Sequence, residues 1–247
     1  MLKALLLDMD ETLCDTEKAN AKAKALLAQT VDSTYPVDGV TARGAVFADH
    51  YVSGIYREWS DQQNARYTPI VNDQGEVAFR IQLIRDLLQP VAVSAEQAQQ
   101  LQNQFDSDRL AAFDFYPGIK AFLHDARQLF TLVVITNGPE FSQIPKVEAV
   151  NLAAHVDHII IGGQEPEQKP ARSIFDKALK LANCDASEAI HVGDSLAADI
   201  AGAHHSRITS VWIQHQQPLD AELGINPNHT IMHPSELPSL IERLHKL

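Results

Sequence analysis

Short runs of apolar residues recur along the chain, once at its beginning and then repeatedly in its second half. They cover residues 3–8, 130–137, 158–163, 189–194 and 208–214, with a weaker run at 229–233. The runs are apolar on both faces and do not alternate with polar residues, which is typical of strands in a parallel sheet that helices cover on both sides. The pattern therefore predicts strands of such a sheet.

The segments between these runs carry apolar residues at helical spacing. Residues 116–130 contain Pro117 and Gly118 at the start of the pattern, and residues 170–182 begin with Pro170. Residues 195–205 follow a strand directly and are rich in alanine. Strands that alternate with helices from about residue 117 onward predict a doubly wound α/β fold with a parallel, Rossmann-like sheet.

Residues 16–115 break this alternation, because they contain no strong strand pattern. Residues 16–30, 79–90 and 94–113 have the apolar stripe of amphipathic helices, whereas 68–76 has the composition of a turn or loop. We therefore predict two domains. Residues 1–15 and 116–247 form the α/β core, and residues 16–115 form an inserted all-α domain.

Composition limits the possible partners. The chain has 20 Lys and Arg against 32 Asp and Glu, a formal net charge of -12, so the basic surface of a nucleic-acid-binding protein is absent. An acidic surface also repels acidic membranes, and a small anionic substrate requires a local positive site. We expect a small-molecule partner, with neither nucleic acid nor a membrane, and the oligomeric state stays open.

The expected location is the cytoplasm. Two cysteines are too few for a secreted disulfide framework. The apolar run at the N-terminus is short and meets acidic residues at once, unlike a signal peptide. No apolar run approaches the roughly 20 residues that span a membrane.

Polar residues follow the predicted strands at the points where the strands end. In an open parallel sheet the carboxyl ends of the strands share one edge, and ligands bind there. The residues that this rule brings together are Asp8, Asp10, Thr136, Asn137, Lys169, Asp194 and Asp199.

The charges of these residues indicate a chemistry. Carboxylates held close together repel one another, and a hard divalent cation with oxygen ligands, most suitably Mg²⁺, removes that repulsion. A metal-bound carboxylate stays ionised and can act as a nucleophile. A lysine at position 169 adds positive charge, and the turn at Asn137–Gly138 opens a helix whose N–H groups suit an anion. Together these features predict a phosphoryl-transfer site.

The same residues carry a resemblance. The segments DMDET, TNG, QKP and GDSLAAD, in that order, resemble the four motifs of the haloacid dehalogenase superfamily. The resemblance covers the whole chain, because the helical insert lies between the first and second motifs, where that superfamily often has its cap domain. The segments IIIGGQEPEQKPARSIFDKAL and TNGPEFSQIPKVEAVNL resemble the branch that contains N-acylneuraminate-9-phosphatase and the pyrimidine 5′-nucleotidases.

The resemblance implies a catalytic role for three residues. Asp8 would be the nucleophile that receives the phosphoryl group as an aspartyl-phosphate. Asp10 would be the general acid for the leaving group and then the base for the attacking water. Lys169 would neutralise charge on Asp8 and on the phosphate.

The resemblance also implies the binding residues. Thr136 and Asn137 would hold the phosphoryl oxygens, together with Lys169. The Mg²⁺ ligands would be Asp8, the backbone carbonyl of Asp10 and Asp194, while Asp199 would support the metal shell directly or through water.

Several reactions occur in this superfamily, and the acid at position 10 separates some of them. Dehalogenases typically lack an acid there, so Asp10 favours hydrolysis of a small soluble phosphomonoester, such as N-acylneuraminate 9-phosphate or a nucleoside monophosphate. A phosphosugar mutase stays possible, as does a catalytically silent phosphate-binding module of another functional class. The helical cap is expected to close over the site and to exclude large substrates.

Overall fold

The computed structural model describes residues 1–36, 43–89, 91–218 and 224–246. Contacts between Cα atoms divide the chain into two compact units. One, here called the α/β unit, consists of Met1–Thr16 and Phe113–Leu247, and the other, the helical unit, consists of Glu17–Ala112. No helix in the described part of the chain is long and apolar enough to cross a membrane.

The helical unit is built from four helices in its described residues. They are α1 (Thr16–Thr34, whose first residue belongs to the α/β unit), α2 (Arg43–Ile55), α3 (Asp61–Leu87) and α4 (Ala95–Ala112). The sequence analysis did not predict α2. This helix contains Gly44, where a Cβ atom would lie 2.0 Å from the backbone oxygen of Ala28, so the glycine permits a close approach of α2 to α1.

The prediction of a turn or loop at residues 68–76 is wrong. Helix α3 runs through this segment, and only Gly75 departs from helical geometry, with φ 86° and ψ 177°. The apolar side chains explain the difference, because Tyr67 is buried while Ile70 and Val71 pack against the core of the helical unit. Their burial outweighs the local turn preference of the polar residues, Pro69 and Gly75. The predicted helix at 79–90 lies at the end of α3, and its last residue is outside the described residues.

The α/β unit contains a parallel sheet, as predicted. Within the described residues its strands are β1 (Ala4–Leu7), β2 (Thr131–Thr136), β3 (His158–Ile161), β4 (Ala189–Gly193), β5 (Thr209–Ile213) and β6 (His229–Ile231). They form one sheet in the order β3-β2-β1-β4-β5-β6, and each neighbouring pair is parallel. The weak sixth run is therefore a strand at the sheet edge.

In the described residues, the helices of the α/β unit either precede β2 or follow one of the strands β2, β3, β4 and β6. They are α5 (Ile119–Ala126), α6 (Glu140–Ala149), α7 (Arg172–Ala182), α8 (Ala201–His205) and α9 (Leu237–His245), and one π-helical segment, Leu196–Ile200, precedes α8. Phe175 and Ala178 of α7 pack in one cluster with Ala4 and Leu6 of β1. The alternate residues Leu5 and Leu7 are also fully buried, so both faces of β1 are covered.

The strand order places a ligand site. The chain runs outward from β1 in one direction through β2 and β3, and in the other direction through β4, β5 and β6. Ligands in open α/β sheets bind beyond the carboxyl ends of the strands where this reversal occurs. Here that position lies between β1 and β4.

Candidate active site

Asp8 lies at this reversal point, directly after β1. Its backbone N–H donates to the carbonyl oxygen of Val192 in β4 at 2.9 Å, so the hydrogen-bond ladder of the sheet fixes its backbone. The Asp8 side chain is almost completely buried. A carboxylate mounted on the rigid centre of the sheet in this way keeps its position when a substrate binds.

Three carboxylates meet at the end of these two strands. Oxygen atoms of Asp8, Asp194 and Asp199 lie within 4.8 Å of one another, a spacing that allows a single cation to contact all three. Asp194 follows β4 directly, and Asp199 comes from the π-helical segment after it. The three predicted acids are thus brought together, whereas the side chain of Asp10 is not part of this group.

The backbone around β4 is shaped to admit Asp199. A Cβ atom on Gly193 would lie only 2.2 Å from Cγ of Asp199, so a side chain at position 193 would displace the carboxylate. Ser195 caps the following turn, because its hydroxyl accepts from the N–H of Ala198 at 3.1 Å. The Ser195 N–H donates to Oδ2 of Asp199 at 3.0 Å and so holds that oxygen in place.

Lys169 supplies the positive charge of the site. Its ammonium donates to Oδ1 of Asp8 at 2.5 Å and to Oδ1 of Asp199 at 2.7 Å. A third hydrogen bond goes to the backbone oxygen of Ile135 at 2.7 Å, so each of the three N–H groups has an acceptor. Burial lowers the pKa of Lys169, but the negative charges of Asp199 and Asp8 have a larger, opposite effect. The pKa is therefore raised above its ordinary value. Lys169 therefore stays protonated at neutral pH.

One lysine does not balance three acids. Burial raises the pKa of Asp8 to about 7, although Lys169 opposes the shift. Burial, together with the negative charge of Asp8, raises the pKa of Asp194 to about 8. The pKa of Asp199 is instead lowered, because Lys169 and a hydrogen bond from His191 outweigh the effect of burial. Ionisation of all three carboxylates is therefore costly in the metal-free site, and a divalent cation among these oxygen ligands would lower that cost.

His191 is a buried partner of Asp199 that the sequence analysis did not select. Its Nε2 lies 2.9 Å from Oδ1 of Asp199, and its ring packs edge-on against Phe175 with the centroids 5.0 Å apart. Burial lowers the pKa of His191, so the ring is neutral and its hydrogen lies on Nε2, facing the carboxylate. The one signal in the sequence was a polar residue inside an otherwise apolar strand.

Asp10 is held in a separate contact network. Both of its oxygens accept from the ammonium of Lys146, at 2.8 and 2.9 Å. The hydroxyl of Thr16 donates to Oδ1 at 2.5 Å, and the amide of Gln143 donates to Oδ2 at 3.2 Å. Burial raises the pKa of Asp10, but Lys146 and these hydrogen bonds lower it below its ordinary value. Since the side chain is engaged in this way, the backbone carbonyl is the atom of Asp10 that remains for the predicted metal contact.

Lys146 and Gln143 are further residues that the sequence analysis missed. Both lie on α6, three positions apart and therefore on the same helix face, and both are buried. A buried lysine needs an opposite charge, and here Asp10 provides it. The sequence does show a glutamine and a lysine three positions apart just after the TNG segment. This spacing does not identify Asp10 as their partner.

The turn that carries Asp10 is fixed from two other elements. Glu11 has a positive φ of 53°, an unusual conformation for a residue with a side chain. The hydroxyl of Tyr116 donates to the Glu11 carboxylate at 2.5 Å, and Nε2 of His215 lies 2.6 Å from the Glu11 backbone oxygen. These contacts fix the backbone at Glu11, the residue that follows Asp10.

The two predicted phosphate-binding residues differ in their surroundings. Thr136 ends β2, next to β1, and its buried hydroxyl has no hydrogen-bond partner in the structure. The side-chain amide of Asn137 makes two hydrogen bonds. It donates to the backbone oxygen of Lys169 and accepts from the Lys169 N–H, both at 2.9 Å. The N–H of Gly138 donates to the side chain of Gln168 at 2.8 Å. The Asn137 side chain therefore fastens the loop that carries Lys169, and the Thr136 hydroxyl is free to bind an anion.

A comparison with family models gives a match over residues 2–206, to the family described as haloacid dehalogenase-like hydrolase. Three curated relatives align over most of the chain. N-acylneuraminate-9-phosphatase of Homo sapiens is 24% identical over 98% of this chain and 95% of its own length. Glyceraldehyde 3-phosphate phosphatase of Pyrococcus abyssi is 28% identical, with 87% and 82% covered. Pyrimidine 5′-nucleotidase YjjG of Escherichia coli is 25% identical, with 85% and 94% covered.

Solved structures with the same fold include two that span nearly the whole chain. The HAD-hydrolase YfnB of Bacillus subtilis, in a magnesium-bound form, has a TM-score of 0.67 at 21% identity, with 97% of this chain and 98% of that chain covered. The 2-haloacid dehalogenase of Pseudomonas syringae pv. Tomato DC3000 has a TM-score of 0.64 at 27% identity, with 99% and 100% covered. These neighbours confirm the predicted α/β fold class.

Proposed function

The chain belongs to the haloacid dehalogenase-like hydrolases, and we propose that it is a Mg²⁺-dependent phosphatase whose nucleophile is Asp8. The curated relatives described above are phosphatases and a nucleotidase, so its class is phosphoric monoester hydrolase. The observation that carries the proposed mechanism is the position of Lys169 between Asp8 and Asp199, with a second acid, Asp10, held apart in its own contacts. This arrangement separates an anionic nucleophile from a proton-transfer group.

The donor set fits a hard cation. All the acidic side chains at the strand ends offer oxygen, and the raised pKa values of Asp8 and Asp194 mark the two carboxylates that most need a positive charge. We propose Asp8, Asp194 and the backbone carbonyl of Asp10 as ligands. Asp199 already accepts hydrogen bonds on both oxygens, so it supports the ion through water and through Lys169. When bound, Mg²⁺ would neutralise charge between Asp8 and the incoming phosphate.

In the first step, one Asp8 oxygen attacks phosphorus and the bond to the leaving oxygen breaks. The product is an aspartyl-phosphate on Asp8. Asp10 must carry a proton in this step, although Lys146 favours its ionised form in the free enzyme, and it gives that proton to the leaving alkoxide, which departs as an alcohol. Lys169 offsets the negative charge that gathers on the transferring group. The Thr136 hydroxyl, which lacks a partner in the structure, donates to a phosphoryl oxygen.

In the second step, Asp10 is ionised and accepts a proton from water as that water attacks phosphorus. The bond between Asp8 and phosphorus breaks, inorganic phosphate leaves, and Asp10 again carries the proton needed for the next turnover. The contacts of Asp10 suit this second role, because Lys146 stabilises its ionised form.

We propose a phosphosugar or a nucleoside monophosphate as the substrate class, because the relatives named above act on compounds of these kinds. The likeness to a 2-haloacid dehalogenase structure keeps dehalogenation as the alternative reaction. The presence of Asp10 argues against dehalogenation, since a halide leaves without a proton, whereas the alkoxide that leaves a phosphate ester needs one. A phosphosugar mutase would share the first step but return the phosphoryl group to a sugar.

The test is release of phosphate from a panel of small phosphomonoesters, with Mg²⁺ and with chelator. The panel contains N-acylneuraminate 9-phosphate, pyrimidine nucleoside monophosphates, glyceraldehyde 3-phosphate and hexose phosphates, and a 2-haloacid is assayed for halide. We expect Mg²⁺-dependent phosphate release with one preferred substrate and no halide. Asp8→Asn should abolish turnover, whereas Asp73→Asn, an exposed acid of the helical unit, should not change it. Halide release, or an active Asp8→Asn variant, would refute the proposal.

A further inference from the structure

We propose that Lys146 is a positioning residue for Asp10, and that Gln143 is the partner that Asp10 gives up during proton transfer. This inference rests on the proposed function, because it concerns the acid–base step of that reaction. It assigns opposite roles to two residues that lie one helical turn apart on α6.

The first argument is the number of contacts on the Asp10 carboxylate. An ionised carboxylate offers about four lone-pair positions. Oδ1 accepts from Thr16 and from Lys146, and Oδ2 accepts from Gln143 and from Lys146. Every position of the ionised carboxylate is used, so Asp10 can neither take up the proton needed in the first step nor accept from a water molecule in the second until one of these partners withdraws.

The second argument concerns which partner withdraws most easily. The contact from Gln143 is the longest of the four, at 3.2 Å. The same amide nitrogen also donates to the backbone oxygen of Asn137, so Gln143 keeps a hydrogen bond after it loses Asp10. Withdrawal of Gln143 therefore costs less than withdrawal of a charged partner, since the amide nitrogen keeps one hydrogen bond and only one neutral N–H loses its acceptor.

Lys146 cannot withdraw from Asp10 in the same way. It is almost fully buried on α6, and its ammonium lies 5.6 Å from the centre of the Phe113 ring. Removal of its contact with Asp10 would leave a charge buried without its partner, which is far more costly than the loss of a neutral hydrogen bond. Lys146 thus stays in contact with both oxygens and fixes the plane of the carboxylate while Gln143 is replaced by the substrate or by water.

The experiment measures kcat/KM of the Mg²⁺-loaded enzyme with two aryl phosphates and an alkyl phosphate. The ratio kcat/KM reports the first chemical step, in which 2,4-dinitrophenolate leaves without a proton and an alkoxide needs one. For Lys146→Met we expect a loss of about 10²-fold with the alkyl phosphate and less than about 10-fold with 2,4-dinitrophenyl phosphate. Phenyl phosphate should lie between them. Gln143→Leu should lose less than Lys146→Met with the alkyl phosphate.

A double-mutant cycle separates positioning from general damage. In an Asp10→Asn background, Lys146→Met should cost no more than about 3-fold, because a residue that acts through Asp10 has nothing left to act on. Glu148→Gln, an exposed change on the same helix, should leave all rates unaltered. Lys146→Arg keeps the charge and should recover most of the alkyl phosphate activity, and it serves as the test if Lys146→Met does not fold.

The outcomes distinguish this inference from the proposed function. Equal losses with all leaving groups, or an undiminished loss in the Asp10→Asn background, would overturn the role of Lys146 while leaving the phosphatase intact. A Gln143→Leu variant as damaged as Lys146→Met would overturn the assignment of Gln143. A wild-type enzyme that releases phosphate from none of these esters would overturn both proposals.

Discussion

Asn137 and Lys169 are joined by two hydrogen bonds, both 2.9 Å long, between the amide side chain of the first and the backbone of the second. The resemblance implied that Asn137 binds the phosphoryl group. In the structure its side chain lies across the end of the sheet and holds the loop that carries Lys169.

This relationship predicts the effect of an Asn137→Asp substitution. The carboxylate keeps the size of the amide but places a negative oxygen against the backbone oxygen of Lys169, so the loop shifts. A misplacement of about 1 Å at a reacting group can cost about 10²-fold in rate, and we expect a loss of that order in kcat. Steady-state kinetics would check it, with the exposed change Asn72→Asp in the helical unit as the control. An Asn137→Asp variant with wild-type kcat would contradict the role given to these two bonds.

The contact between His191 and Asp199 predicts a stability difference between two variants. His191→Leu removes the Nε2 donor and leaves Oδ1 of Asp199 with one partner fewer, at a cost of about 1–3 kcal/mol in the free energy of unfolding. His191→Gln offers an N–H at a similar distance from the backbone and should lose less. Urea denaturation of the two variants measures the difference. Equal destabilisation by leucine and glutamine would show that packing against Phe175 matters and the hydrogen bond does not.

Metal removal should make stability depend on pH in a defined direction. In the folded, metal-free protein the pKa is about 7 for Asp8 and about 8 for Asp194, against an ordinary value of 3.8. Between about pH 4 and pH 8 the folded state therefore binds more protons than the unfolded state at these two groups, so their contribution to stability falls as pH rises. The urea midpoint in chelator, at pH 5.5 and at pH 8, would show the decline.

Two controls accompany this measurement. Mg²⁺ should raise the midpoint most strongly at pH 8, where the carboxylates are ionised and bind the cation. Asp194→Asn should remove both its part of the decline in chelator and much of the response to Mg²⁺. If wild type and Asp194→Asn respond to Mg²⁺ equally, the ion is bound elsewhere.

Gly193 should tolerate no side chain. A Cβ atom at this position would lie 2.2 Å from Cγ of Asp199, which is itself fixed by Lys169 and Ser195. We expect Gly193→Ala to cost about 1–3 kcal/mol of stability and to reduce phosphate release, because the carboxylate must move and Lys169 moves with it. Thermal denaturation and turnover would be compared with Ala197→Ser, an exposed change in the same turn. A fully active Gly193→Ala protein would mean that Asp199 can shift without consequence.

The sheet could be predicted from the sequence because its central strands are buried on both faces. Runs such as residues 130–137 and 189–194 stand out for that reason, and the polar residues just beyond them are brought to one edge by the strand direction alone. The proximity of Asp8, Asp194 and Asp199 follows from this rule without any knowledge of side-chain contacts.

Contacts between helix faces could not be predicted in the same way. Lys146 is 136 positions from Asp10 in sequence, and nothing local at either residue identifies the other. The prediction for residues 68–76 was wrong for a related reason. The turn-forming composition of this segment is a local property, whereas the burial of Tyr67 depends on its contacts with Trp59 and Phe79. In both cases a tertiary contact outweighs the local preference that a sequence displays.

The central position of β1 also affects the order in which the molecule assembles. During synthesis this strand emerges before its ladder partners, which begin only at Thr131 on one side and Ala189 on the other. The helical unit is contiguous in sequence, so all its contacts become available while the apolar strand still lacks both neighbours. Completion of the sheet is consequently a late, long-range step. A nascent chain that stalls before residue 189 would leave the edge of β1 that pairs with β4 without its partner, and an unpaired strand edge is a site at which aggregation can begin.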